Sequence, residues 1–299
     1  MTRLLPMRTQ SWYRSTVFRL LFAAAPLLTP AHARPLRILA SFYPMYVMAL
    51  NVAGGTPGVS VDCLTKPSTG CLHDYQLAPG DLVALSRADV FVANGAGMET
   101  FIDKAVRQAP GLTVIEAGAG IDLGGSGNPH LWVSIRGAIA ETLAIARGLA
   151  AADPARAAIY QKNAADYVAT LDRLGARMHA ALDGLPHRNI ITFHEAFPCF
   201  AREFGLTIVG VVEREPGSEP SAQELAQTIR LVRSSGVRAI FAEPQYPSKS
   251  ADIIRRETGV AVASLDPAVT GDLDPATARP SYCKAMERNL AALAQALAD

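Results

Sequence analysis

The sequence predicts an α/β protein of two lobes, each a mostly parallel sheet flanked by helices, joined by one long rigid helix. Three observations carry this. Short apolar runs alternate with helical patterns of about ten residues, the signature of βα units. The alternation occurs twice, once on each side of residues 153–186. Between the halves, Asp153 to Leu182 has no proline after Pro154 and no glycine but Gly175. A helix of about 28 residues there spans about 42 Å at 1.5 Å per residue, enough to cross from one lobe to the other.

The elements follow in order. Leu36–Phe42, Val59–Leu64, Val90–Ala93 and Thr113–Glu116 read as buried strands, and Met98–Arg107 as a helix between two of them. Gly120 to Gly127 is a glycine-rich break, followed by a helical pattern over Ile135–Ala151. Asp153 as N-cap and Pro154 at the first helical position start the long helix. Leu171, Leu174, Met178, Ala181 and Leu182 keep helical spacing. Asp183-Gly184-Leu185-Pro186 ends it. In the second half, Asn189–Phe193, Leu206–Val212, Val237–Ala242 and Val260–Leu265 are strands. The segment after His194 reads as helical, and residues 213–220 as a loop. Ser221 and Glu224 form a capping box for the next helix. Lys249–Thr258 and Tyr282–Ala298 are the last helices. The domains are therefore residues 34–152, the linker helix 153–186, and residues 187–299.

Residues 1–33 read as a secretory signal peptide. Arg3, Arg8, Arg14 and Arg19 precede the apolar stretch Leu20–Leu28, and Ala31-His32-Ala33 is a small-x-small cleavage site. The apolar stretch is far shorter than the roughly 20 residues a membrane span needs. No cysteine lies in this segment, so no lipid anchor is expected. The expectation is a soluble, exported chain in the periplasm. Removing the segment leaves 24 basic and 27 acidic residues, a net charge of −3. That balance speaks against a nucleic-acid partner.

The chain has four cysteines, Cys63, Cys71, Cys199 and Cys283. Export permits disulfides, and four cysteines allow three connectivities. Cys63 and Cys71 flank a turn-rich loop and are the expected pair; Cys199 with Cys283 is the second choice. The competing reading makes Cys71, two residues before His73, a metal thiolate.

Three histidines stand in dense local patterns: Cys71-Leu72-His73-Asp74-Tyr75, Asn128-Pro129-His130-Leu131-Trp132 and Phe193-His194-Glu195-Ala196-Phe197. Asp266 stands in Leu265-Asp266-Pro267. His194 and Asp266 directly follow predicted strands, and His73 lies on the loop after one. Ligands of open parallel sheets bind at such strand ends. Three imidazoles and one carboxylate suit a borderline metal such as zinc. Glu243, also at a strand end, is either a carboxylate that orients an imidazole or only a loop acid. His179 and His187, in the long helix and the turn after it, read as ordinary surface residues, and His32 leaves with the signal. Three readings of function remain open: a carrier of zinc, a secreted zinc hydrolase with Glu243 or Glu195 as base, and a manganese or iron carrier or adhesin-like surface protein. No H-E-x-x-H pattern supports the hydrolase.

Taken together, these segments resemble the solute-binding proteins of zinc and manganese ABC transporters. The family's P-H-x-Y-x-x-x-P-x-D pattern is matched by Leu72 to Asp81, its N-P-H-x-W-x-S by Asn128–Ser134, and its F-H-x-A-F-x-x-F-A-x-x-F-G-L by Phe193–Leu206. Glu219–Ala222, Phe241–Gln245 and Asp266-Pro267 match three further stretches. The resemblance implies a metal in the cleft between two lobes, held by His73, His130, His194 and Asp266. It implies Zn²⁺ rather than Mn²⁺, since members with glutamate in place of His194 resemble manganese carriers. It also implies a monomer without enzymatic activity that hands its ion to an ABC permease in the inner membrane. Two departures stand out. Leu72, preceded by Cys71, replaces the usual proline, and Gly124-Gly125-Ser126-Gly127 stands where many zinc members carry a long histidine-rich loop.

Overall fold

The computed structural model describes Met1 and residues 35–72, 75–102, 105–106, 109, 111–121, 127–212, 220–245 and 249–298. The signal segment, His73, Asp74 and the loop 213–219 lie outside the described residues.

The first sheet contains β1 (Leu36–Ala40), β2 (Val59–Cys63), β3 (Val90–Ala93) and β4 (Thr113–Glu116). The second contains β5 (Asn189–Thr192), β6 (Thr207–Val211), β7 (Ala239–Ala242) and β8 (Ala261–Ser264). Their orders are β2-β1-β3-β4 and β6-β5-β7-β8, and every pairing is parallel. The order reverses between β1 and β3 in one sheet and between β5 and β7 in the other. Such reversals open a crevice at the carboxyl ends of the strands. His194 follows β5 and Glu243 follows β7, so the second crevice is flanked by both.

The helices are α1 (Tyr43–Ala53), α2 (Pro79–Arg87), α3 (Ile135–Ala152), α4 (Ala157–Leu182), α5 (Pro198–Glu203), α6 (Ala222–Ser235), α7 (Lys249–Thr258), α8 (Pro275–Ala278) and α9 (Ser281–Leu297). Helix α4 buries Tyr160, Ala164, Tyr167, Leu171, Leu174, Met178 and Leu182, an i, i+3/i+4 stripe along its length. It packs against α1 of the first lobe, α9 of the second, and α3. The long helix is therefore buried against both lobes.

Alternation within each strand builds a layered core, because successive side chains point to opposite faces. Ile38 and Ala40 of β1, Val90 and Val92 of β3, Ile190 of β5 and Phe241 of β7 face one continuous core. That core takes in α1, Trp132, the stripe of α4 and Leu293 of α9. Leu39 and Phe91 face the opposite side into a small cluster with Leu85 and Ile102. Ile191 and Ile240 do the same with Val232 and Ile254. Both lobes thus share one apolar interior, which opposes their rotation against each other.

Several expectations change in detail. The long helix begins at Ala157, after a 3₁₀ turn over Pro154–Arg156. Asp153 precedes that turn but does not cap it with its side chain. Its Oδ2 accepts instead from Arg156 Nη1 and from the Tyr160 hydroxyl, both at 2.7 Å. Met98–Arg107, read as a helix, shows among its described residues a 3₁₀ turn over Thr100–Ile102 and α-helix at residues 105–106. Helix α1 was not anticipated because it is buried on nearly every side and so lacks a periodic polar face. The short α2 and α8 were also missed.

The expected Cys63–Cys71 disulfide is corrected: none of the four cysteines is bridged. Burial pushes the Cys63 thiol up to about 12. Cys71 is turned toward His130 instead. Among the described residues no helix is long and apolar enough to cross a membrane.

Candidate metal centre

His130 sits just before a 3₁₀ turn over Leu131–Val133 that leads into α3. The turn is tight because Ser134 caps α3, its Oγ accepting from the Gly137 amide at 2.9 Å. Gly137 is required there: a Cβ would collide with the Leu131 carbonyl oxygen.

The approach to His130 is tied to the first sheet. Glu99 accepts from Ser41 Oγ after β1 and from the amides of Asn94 and Gly95 after β3, at 2.7, 2.7 and 2.9 Å. Burial raises the Glu99 carboxyl above its ordinary range, against the pull of these donors. The Asn94 side chain then donates to the Pro129 carbonyl at 3.0 Å. On the far side, Trp132 Nε1 donates to the Pro267 carbonyl at 2.8 Å, and the Tyr282 hydroxyl to the Trp132 carbonyl at 2.8 Å. The His130 loop is thus pinned to both lobes.

Asn128 fixes the ring. Its Oδ1 accepts from the His130 amide at 3.0 Å and from His130 Nδ1 at 2.9 Å. Its Nδ2 donates to the Glu195 carbonyl at 2.7 Å, beside His194. With the proton held on Nδ1, the lone pair of His130 sits on Nε2 and faces inward.

His194 follows β5 and is 3 % exposed; His130 is 2 % exposed. Their Nε2 atoms lie 3.3 Å apart, with the rings edge to face. Cys71 Sγ lies 3.6 Å from His130 Nε2. The three donor atoms fall within 4.8 Å of one another, a cluster of metal-binding size. Two zinc–nitrogen bonds of about 2.05 Å meeting at the tetrahedral angle set their nitrogens about 3.3 Å apart. The imidazole pair matches that edge.

The four nominated ligands therefore fare differently. His130 and His194 are brought together. His73 lies outside the described residues. Asp266 is buried at the end of β8, next to the Pro267 that Trp132 grips. Its backbone is clamped by Asn289 of α9, which donates to the Asp266 carbonyl and accepts from its amide at 2.8 and 2.7 Å. Its Oδ1 accepts from the Ala268 amide and its Oδ2 from Arg288 Nη2, both at 2.8 Å. Glu243, buried after β7, accepts from the Gln245 side chain. Two residues of this cluster went unrecognised in the sequence or ranked low. Asn128 had a local signal, an asparagine two residues before a nominated histidine. Cys71 was set behind a disulfide.

The family described as "Zinc-uptake complex component A periplasmic" matches residues 38–296. The zinc-binding lipoprotein AdcA of Streptococcus pneumoniae is 28% identical over 282 residues, covering 87% of this chain and 55% of AdcA. The chain thus spans about half the length of that relative. The high-affinity zinc uptake system protein ZnuA of Bacillus subtilis is 28% identical over 282 residues, covering 88% of each. The solute-binding protein FpvC of Pseudomonas aeruginosa, solved with Mn²⁺, superposes with a TM-score of 0.78 at 32% identity, covering 88% of this chain and 99% of FpvC. With a match over nearly its whole described length, the chain belongs to the family of periplasmic zinc-uptake component A proteins.

Proposed function

We propose that this protein is the solute-binding component of a metal ABC transporter, which captures Zn²⁺ between its lobes and hands it to a membrane permease. The observation that carries the reading is the buried His130–His194 pair, with nitrogens at the spacing of a tetrahedral zinc edge. His73 and Asp266 are the further donors nominated by the sequence. Glu243 is assigned to the surroundings of the shell. Residues 1–33 act as the export segment that brings the chain to the periplasm. The zinc-hydrolase alternative is set aside because the family is one of uptake components.

The ion preference follows from donor chemistry. Neutral imidazole suits zinc, whereas manganese favours oxygen donors. The shared core predicts small lobe movement on loading. Equilibrium dialysis with metal analysis tests the proposal. One zinc retained per chain, outcompeting manganese, is the expected result. A chain that holds no zinc, or holds it equally well after His130→Ala, overturns it.

A further inference from the structure

We propose that Cys71 supplies a thiolate ligand to the ion held by His130 and His194, in the place expected of Asp266. The proposal rests on the zinc-carrier reading and names the anionic donor of that site.

Three observations converge. First, Cys71 Sγ belongs to the one cluster of metal-binding size among the described residues, with His130 and His194. Second, its distance to His130 Nε2 fits a bound zinc. A zinc–sulfur bond of about 2.3 Å and a zinc–nitrogen bond of about 2.05 Å, at the tetrahedral angle, put sulfur and nitrogen about 3.6 Å apart. The observed separation is 3.6 Å. The imidazole pair at 3.3 Å and this edge at 3.6 Å are each of the length that ligands of one zinc would set. Third, Asp266 is engaged elsewhere, one oxygen by the Ala268 amide and the other by Arg288. Its carboxylate does not join the cluster.

The surroundings suit the role. Leu72 is fully buried and anchors the loop beside Cys71 in the core. Cys71 itself is half-buried, at the mouth of a site whose two histidines lie deeper. Asn128 leaves His130 Nε2 as an acceptor, and the Cys71 sulfur lies 3.6 Å from it. A cation entering between them displaces the thiol proton: the S–H bond breaks, the proton leaves to solvent, and sulfur and nitrogen both bind the ion. The charge on zinc is then met by one thiolate, as it would be by one carboxylate. A thiolate also sharpens selectivity, because it favours zinc over manganese, magnesium and calcium.

X-ray absorption at the zinc edge tests this on the full chain, purified under reductant and loaded with zinc alone. The expected spectrum has one sulfur neighbour at about 2.3 Å beside nitrogens at about 2.0–2.1 Å. Cys63→Ser keeps the sulfur neighbour. Cys71→Ser loses it, and its preference for zinc over manganese falls at least about tenfold, the low end for a lost supporting contact at a metal site. Zinc retained by the unaltered chain with only nitrogen and oxygen neighbours overturns the proposal and leaves the carrier reading standing. Sulfur that persists in Cys71→Ser overturns it too. A chain that retains no zinc overturns both.

Discussion

Asn128 Oδ1 lies 2.9 Å from His130 Nδ1, and that contact decides which nitrogen of the ring faces His194. A ligating imidazole needs its other nitrogen held by an acceptor, and loss of such a partner costs about 10–100-fold in metal affinity. Asn128→Ala is expected to weaken zinc binding by that factor in a chelator competition, with the far-ultraviolet dichroism unchanged. Asn128→Asp keeps the acceptor and gives up only the donation to the Glu195 carbonyl. It should retain most of the affinity. Equal losses in the two variants would show that the lobe-to-lobe link, not the tautomer, is what Asn128 provides.

Removing a ligand should cost more than removing its support. His130→Ala and His194→Ala are each expected to lose more than about 100-fold in zinc affinity, beyond the range of a supporting contact. His179→Ala is the control. That ring lies on α4 and pairs with Asp183 at 3.1 Å on the surface. Binding isotherms should separate the three variants cleanly, and a comparable loss in His179→Ala would place the ion elsewhere. Affinity should also fall with pH, because ligating imidazoles must shed their protons. Titration calorimetry in buffers of different ionisation enthalpy reads the protons released.

Glu141 on α3 is fully buried, and among the described residues neither carboxyl oxygen has a hydrogen-bond partner. Burial, with a smaller push from Glu99, raises its carboxyl well above the ordinary range. Below an unfolded value near about 4.3, both states carry the proton and Glu141 costs nothing in pH-dependent stability. As pH rises above that value, the unfolded chain sheds the proton while the folded one keeps it, so stability falls. Glu141→Gln removes this loss. Thermal unfolding of the metal-free chain should show a higher midpoint for the variant at pH 7, by roughly 2–4 °C per kcal/mol recovered. The two midpoints should coincide near pH 3.5. A gain of equal size at both pH values would contradict the assignment.

What the sequence revealed followed from how each residue reports its surroundings. Strands such as Val90–Ala93 and Thr113–Glu116 were placed to the residue, because an apolar run bounded by polar turns has few alternatives. Ser221 and Glu224 announced α6 through a capping box that the structure forms in full. Helix α1 left no such trace, since only Asn51 among its residues is even partly exposed. At the centre, His130 and His194 were legible from their positions beside strands and glycine-rich turns. The engagement of Asp266 by Arg288 was not, because the partners are 22 residues apart and belong to separate elements. Cys71 was read through its neighbour Cys63, when its sulfur faces a histidine 59 positions away. Local chemistry showed in the sequence, and pairings between residues far apart in the chain did not.

One of those long-range pairings carries its own prediction. Trp132 is fully buried, stacks edge to face on Phe42 at 5.0 Å, and donates its indole N–H to the Pro267 carbonyl. It lies two residues past His130, and Pro267 follows Asp266, so one hydrogen bond couples the His130 loop to the Asp266 loop across the lobes. Trp132→Phe keeps an aromatic ring against Phe42 but strands the buried carbonyl. An unpaired buried acceptor costs about 1–3 kcal/mol. Urea unfolding of the metal-free variant should show a loss in that range. Zinc affinity should fall as well, because the His130 loop loses its tether to the second lobe. A stability loss with unchanged affinity would mean that Asn128 and the Tyr282 hydroxyl hold the loop in place without the indole.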